Sequence, residues 1–452
     1  MPTAPQPAPA GAADRPVTSG RVLRIALPIV LSNATVPILG LVDTGVIGQM
    51  GQAAPIGAVG IGAILLSTIY WIFGFLRMGT SGLVAQAKGA GDPAEGGAHL
   101  TRALTIAGLA GLIIILLQIP VFWMAFRLSP ATPEVEALAR QYLLIRVWGA
   151  PATIALYAVT GWLIAEERTV GVLLIQVLMN GLNVALDFWF VLGLGWGVQG
   201  VATASLIAEW SGLALGLCLA RHAIALALRQ RLADLFAAVK LRYFARVNGD
   251  ILIRTALLQL CFLSFLFLGA GQGDVTLAAN HVLLQLLSVT AYALDGFAFA
   301  AETLVGQAMG ARRPDRLRRA AIVTSQWGAA GALLLAAVFW IGGPAFIDIL
   351  TTSEPVRHAA RDYLPWLVAA PVIGVASWMY DGIFIGAMLT REMRQAMILS
   401  TAIYALSLIV LLPLFGNSGL WAALMVLNIM RGVTLALLYP RAEARAATAA
   451  TP

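Results

Sequence analysis

Stretches of more than 20 predominantly apolar residues recur along this chain from residue 22 to residue 440, and no other feature limits its fold as strongly. A helix that crosses the hydrocarbon core of a bilayer needs about 20 such residues. The runs are too long, and too often interrupted by Gly and Pro, for outer-membrane strands, which alternate in segments of about 10 residues. Charged residues make up only 11% of the 452, against about a quarter in a soluble domain. With its polar ends removed, the chain divides into units of roughly 35 residues, each a spanning helix with its connection. The expected fold is an all-α integral membrane protein with 12 transmembrane helices, near 22–48, 56–85, 101–125, 137–164, 170–192, 198–220, 248–269, 276–308, 320–345, 360–388, 396–414 and 419–440.

Charge sets the orientation. With the N-terminus in the cytoplasm, the inner segments hold 20 Lys and Arg residues, including six from Arg221 to Arg246 and five from Arg312 to Arg319. The outer loops then hold Arg127, Arg140, Arg357 and Arg361. Basic residues are retained on the cytoplasmic side, so both termini are expected there. The formal charge of +7 is explained by this topology, and no nucleic-acid partner is expected. Residues 1–20 are Pro- and Ala-rich and read as a disordered tail. The apolar run that follows is too long for a signal-peptide core and is expected to remain as the first span.

The longest polar connection, 221–247, separates six spans from six and invites a search for a repeat. At a shift of 221 residues, Leu83, Gln86, Gly89 and Pro93 overlay Leu304, Gln307, Gly310 and Pro314. The same shift pairs Arg140, Tyr142 and Gly161 with Arg361, Tyr363 and Gly382. The layout is a tail (1–20), a six-helix lobe (21–220), a cytoplasmic linker (221–247), a second six-helix lobe (248–440) and a tail (441–452). Six spans between equivalent points give both copies the same direction across the membrane. Such a duplication is most readily understood as machinery for alternating access.

Four segments carry a family resemblance: ALPIVLSNATVPILGLVDTGVIGQMG from Ala26, FLRMGTSGLVAQAKGAGD from Phe75, NGLNVALDFWFVLGLGWGVQGVATAS from Asn180 and YDGIFIGAMLTREMRQAM from Tyr380. In that order they resemble the multidrug and toxic compound extrusion family, over nearly the whole chain. The resemblance implies a two-lobe exporter, driven by inward flow of protons or sodium, in a bacterial cytoplasmic (inner) membrane. It also implies small-molecule substrates, a monomer in the lipid bilayer, and no cofactor beyond the coupling ion.

Carboxylates inside spans are informative because each costs roughly 2.5–3.5 kcal/mol at the bilayer centre. Asp43 lies 19 residues beyond Arg24, about 28 Å along a helix, in the outer half of the first span. Asp187 reaches a similar depth in the fifth span, with Asn183 one turn earlier on the same face, and Ser205 re-enters at that depth in the sixth. Two carboxylates, an amide and a hydroxyl can share protons or offer oxygens to sodium, and the resemblance maps the family's cation site onto Asp43, Asn183, Asp187 and Ser205. The family pattern favours Thr where Ser205 stands. The alternative is structural: Asp43 ends a helix at the interface and Asp187 satisfies a neighbouring backbone group. Pro37, under two turns before Asp43, is a candidate hinge, or else a static kink.

In the second half Asp295, Glu302 and Asp381 lie within spans, as do Arg77, Arg254 and Arg431, which could neutralise them. Substrate or proton handling and internal ion pairing remain open for this group. Glu209 with Arg146 reads as a packing pair, and Gln86 and Gln307 with their glycines as a close approach of helix ends. No metal site is expected from four scattered histidines and two cysteines in apolar runs. No hydrolase, metalloprotease or phosphate-loop motif appears, which disfavours an intramembrane enzyme or a nucleotide-driven pump. The leading reading is a secondary antiporter exporting amphipathic, cationic compounds; the alternative is a flippase of a lipid-linked precursor, which would need a more cationic cleft.

Overall fold

The computed structural model describes residues 15–35, 42, 45–49, 53–128 and 132–448. Every regular element among them is a helix: α1 (Ser19–Ala34), α2 (Ala53–Trp71), α3 (Phe75–Gly89), α4 (Pro93–Leu116), α5 (Gln118–Leu128), α6 (Pro133–Arg146), α7 (Ala150–Ala165), α8 (Thr169–Asp187), α9 (Gly197–Leu228), α10 (Leu232–Leu235), α11 (Ala238–Ala270), α12 (Asp274–Gly310), α13 (Pro314–Leu350), α14 (Glu354–Gly386), α15 (Thr390–Leu438) and α16 (Pro440–Thr448). One-turn 3-10 segments join α2 to α3 and α6 to α7, and a π-helical segment, Phe188–Gly193, extends α8. With no water in the bilayer, only a helix satisfies every backbone group within its own segment.

Ten helices among the described residues are long and apolar enough to cross a membrane. The expected twelve differ from this number at two places. Of the first span only part is described. The last, Thr390–Thr448, contains a reversal at Gly416, where φ is +54° and ψ −132°. A Cβ on Gly419 would lie 2.0 Å from the Leu411 carbonyl oxygen; in a straight helix residues eight apart are about 12 Å from each other. The chain therefore doubles back, along the boundary expected between 396–414 and 419–440.

The repeat holds in the backbone, residue for residue. Helices begin at Ala53 and Asp274, Pro93 and Pro314, Pro133 and Glu354, and Thr169 and Thr390, each pair 221 apart. Left-handed residues pair by the same shift: Gly91 (φ +74°) with Arg312 (+57°), Glu167 (+58°) with Met388 (+54°), and Gly195 (+70°) with Gly416 (+54°). Outside glycine this conformation costs about 1–2 kcal/mol, so its recurrence marks the same turn built twice. Packing repeats too. A Cβ on Gly161 would meet the Arg77 carbonyl oxygen at 2.4 Å, and one on Gly382 the Ala298 carbonyl oxygen at 2.2 Å.

The helices form two compact units. One comprises Leu31–Val84 and Pro93–Tyr243, with a core that includes Tyr70, Phe122, Tyr142, Leu143 and Val201. The other comprises Met1–Val30, Ala85–Asp92 and Phe244–Pro452, its core built on Phe265, Leu283, Phe339, Trp421 and Leu424. The division falls within α1, just after Pro28, and within α3. Residues 221–247 are helical for most of their length, and α10 is fastened to the first of these units. Arg102, 1% exposed, donates to the Leu235 carbonyl at 2.7 Å and to Glu95 at 2.8 Å, and Glu95 also pairs with Lys240 at 2.8 Å.

Candidate functional site

The first polar cluster rises from α8. Gln176, Asn180, Asn183 and Asp187 are spaced by four, three and four residues, so they form one stripe along a helix face. Gln176 Nε2 donates to Asn180 Oδ1 at 2.9 Å, and Asn180 Nδ2 to the Thr35 carbonyl, beyond α1, at 3.4 Å. Asn183 Nδ2 donates to Ser205 Oγ on α9 at 3.2 Å. Asn183, Asp187 and Ser205 are all buried. Asp187 closes the α-helical stretch directly before the π-helical segment, a local widening often found at functional positions. The fold thus brings Asn183, Asp187 and Ser205 onto two adjacent helices, while Asp43 and Pro37 lie outside the described residues. Gln176 and Asn180 escaped the sequence reading, although their 4-3-4 spacing with Asn183 and Asp187 was there to be found.

The second cluster lies in the other unit and has a different character. Asp381 on α14 is bonded by Arg254 of α11 and by Arg431 of α15, the latter at 2.5 Å, both through Oδ2. Arg431 also donates to Asn428 Oδ1 at 3.3 Å. Both guanidinium groups are buried. The close approach of Gly382 to the Ala298 carbonyl sets Asp381 level with the part of α12 between Asp295 and Glu302. These two are seven residues apart on one face; Glu302 is fully buried and Asp295 half-buried. Arg77, half-buried on α3, belongs to the first unit.

A third pair is made by Arg146 and Glu209, whose two hydrogen bonds are both 2.7 Å. A Cβ at Gly149 would come within 2.2 Å of Glu209 Oε2. This bidentate bridge joins α6 to α9, and glycine makes room for it.

Two in-register copies of a helical unit, each with a polar cluster buried among membrane-spanning helices, are the architecture of a secondary transporter. The MatE family pattern matches residues 28–189 and 251–414, one match in each half, and the chain belongs to that family. It is accordingly a transporter and not an enzyme. DNA damage-inducible protein F of Escherichia coli strain K12, whose branch the four sequence motifs most resemble, is 40% identical over 92% of this chain and 91% of its own. The probable multidrug resistance protein NorM of Pseudomonas aeruginosa is 25% identical over 89% of this chain and 84% of its own. Among solved structures, a MATE protein crystallised in a straight conformation superposes with a TM-score of 0.84 at 20% identity, over 94% of this chain and 96% of that one, which shows a common fold.

Proposed function

We propose that this protein is a secondary active exporter of amphipathic, cationic small molecules, exchanging them for protons or sodium by alternating access. Asp43, Asn183, Asp187 and Ser205 form the coupling site in this reading. It acts as a monomer in a bacterial cytoplasmic membrane, with both termini in the cytoplasm and no cofactor besides the coupling ion. The observation that carries the proposal is the buried set Asn183, Asp187 and Ser205. An amide and a hydroxyl can each donate and accept, so they suit a carboxyl group that alternates between charge states.

The repeat supports Asp43 as a member of this set. Ser264 and Tyr404, 221 residues beyond Asp43 and Asn183, lie in hydrogen-bond contact at 3.1 Å. NorM, by its name a multidrug resistance protein, supports the substrate class. Arg254 and Arg431, which could have favoured a flippase, are both engaged by Asp381.

A permanently charged planar dye tests the proposal. Ionised Asp43 and Asp187 attract a cation, and one unit charge at 4 Å and an effective dielectric of about 20 is worth roughly 4 kcal/mol. Dye affinity should fall as pH drops from 8 to 5, and become nearly flat in the Asp43→Asn, Asp187→Asn double variant. Asp43→Asn alone should abolish coupled efflux from vesicles while the protein stays folded. An unchanged pH slope in the double variant would move the coupling site to Asp295, Glu302 or Asp381. Efflux driven by an imposed proton gradient, then by a sodium gradient, identifies the ion.

A further inference from the structure

The turn that leads into α4 has its copy in the turn that leads into α13, and the two are finished in opposite ways. In the first unit the helix start is covered. A Cβ on Gly97 would lie 2.2 Å from the Ala223 carbonyl oxygen near the end of α9, and Ala98 packs in a small core with Ala227 and with Leu235 of α10. Glu95 is held by Arg102 and by Lys240 of the linker, at 2.8 Å each. An acidic helix start thus receives a basic segment of the chain.

In the second unit the charge is reversed. Residues 91–99 carry Asp92 and Glu95 and no Lys or Arg, whereas 312–320 carry Arg312, Arg313, Arg316, Arg318 and Arg319 against a single carboxylate, Asp315. By the 221-residue shift Arg316 stands where Glu95 does, and Arg318 and Arg319 stand where Gly97 and Ala98 do. An arginine at the equivalent of Gly97 excludes a backbone approach as close as the one α9 makes. The C-terminal helix α16 packs against α13 with Ala442 and Ala446 buried, yet leaves Arg312, Arg318 and Arg319 exposed. Local carboxylates answer part of the charge: Asp315 pairs with Arg313 at 3.0 Å and Glu443 with Arg318 at 3.9 Å. Arg312 holds a φ of +57° where its copy is a glycine, and strain of that kind persists where a side chain is put to use.

The exposed face of α13 fixes the depth of these arginines. Ile322, Leu333 and Trp340 are exposed and share one sector of the helix at 3.6 residues per turn. From Ile322 to Trp340 the helix rises about 27 Å at 1.5 Å per residue, close to the roughly 30 Å of a bilayer's hydrocarbon core. Arg319 lies one turn beyond Ile322 on the same face, at headgroup depth, with Arg316 a turn further and Arg312 in the turn that precedes the helix. We propose that Arg312, Arg316 and Arg319 bind the phosphate headgroup of an anionic phospholipid in the adjoining leaflet. The planar guanidinium fork matches phosphate oxygens in pairs, and basic clusters at the end of a spanning helix attract acidic lipids. The headgroup takes, in the second unit, the place that the linker takes in the first. This needs only the membrane setting of the chain and not the antiport reading.

The test titrates the full-length protein, in a neutral detergent, with phosphatidylglycerol carrying a fluorescent acyl chain and with phosphatidylcholine carrying the same chain. Wild type should bind the anionic lipid about tenfold more tightly or better. The Arg312→Gly, Arg319→Gln double variant removes two exposed charges, so it should unfold close to wild type and lose about tenfold in phosphatidylglycerol affinity, with phosphatidylcholine unchanged. Arg229→Gln, Arg231→Gln removes two exposed arginines of the linker and should leave both affinities as they are. Equal losses in the two double variants would reduce the effect to general charge and overturn the site, as would equal affinity of wild type for the two lipids. Poly-L-glutamate is the third probe: if its binding were weakened by Arg312→Gly, Arg319→Gln while lipid binding was not, the face would belong to an acidic protein segment and the lipid proposal would fall. Neither result bears on Asp43→Asn, so this proposal and the antiport reading fail separately.

Discussion

The two halves share a backbone in register over most of its length, yet the charged groups buried in each have uncharged residues at the equivalent positions of the other. Asn183, Asp187 and Ser205 correspond by the 221-residue shift to Tyr404, Leu408 and Val426; Asp381, Arg254 and Arg431 correspond to Thr160, Asn33 and Trp210. In the first half an amide and a hydroxyl share a helix pair with a carboxyl group. In the second, one carboxylate is clamped between two guanidinium groups from separate helices. Duplication thus preserved turns, helix starts and glycine crossings, while the buried polar groups diverged. The difference separates what the fold needs twice from what it needs once. A clamped ion pair holds three helices together; in the first half a neutral amide–hydroxyl bond joins two.

The largest effect that can break this contrast is on stability. Asp381→Ala leaves two buried guanidinium groups without their shared carboxylate, and breaking such a pair costs about 3–5 kcal/mol. Thermal unfolding in detergent should show a marked loss, whereas Asp187→Asn, nearly isosteric, should unfold close to wild type while its ion-coupled efflux falls. If both variants lost stability equally, the two clusters would be of one kind.

A smaller effect sharpens the first cluster. Ser205→Ala removes the acceptor of the Asn183 bond, at about 1–3 kcal/mol for the buried amide left behind. Ser205→Thr keeps the hydroxyl and should unfold within about 1 kcal/mol of wild type, with efflux retained. A threonine variant as damaged as the alanine one would mean that volume, and not the hydroxyl, matters there.

The smallest effect tests the equivalence of the copied turns. Gly91→Ala meets no atom within 4 Å but forces φ of +74° on a residue with a Cβ, for about 1 kcal/mol. The reverse exchange at the exposed equivalent, Arg312→Gly, relieves that strain and should gain a few tenths of a kcal/mol after the entropy cost of glycine. Opposite signs in the same unfolding assay confirm one turn used twice; equal signs would show that the copies differ.

Much of this architecture was legible in the order of residues alone. The bilayer demands a minimum apolar length and internally satisfied backbones, so the spans can be read from hydropathy. A duplication without insertions leaves its shift in short motifs such as those at Gln86 and Gln307, and the structure carries that shift through whole helices. The sequence also supplied the intramembrane acids and the arginines that could answer them. It paired Glu209 with Arg146, as the structure does, but did not say which arginine would meet which acid in the second half. Asp381 finds Arg254 and Arg431 from 127 and 50 residues away, because three helices pack with those faces together. Arg102, inconspicuous in its helix, becomes the anchor of α10. The close approach of helix ends at Gln86 and Gln307 was legible from their glycines; that Gly89 meets the Gln307 carbonyl and Gly310 the Gln86 carbonyl is what the structure adds. Apolar length and repeat register are written along the chain, since solvent and ancestry act on every residue locally. Pairing of buried charges and closure of helix ends depend on helix rotation and approach, which tertiary packing alone decides.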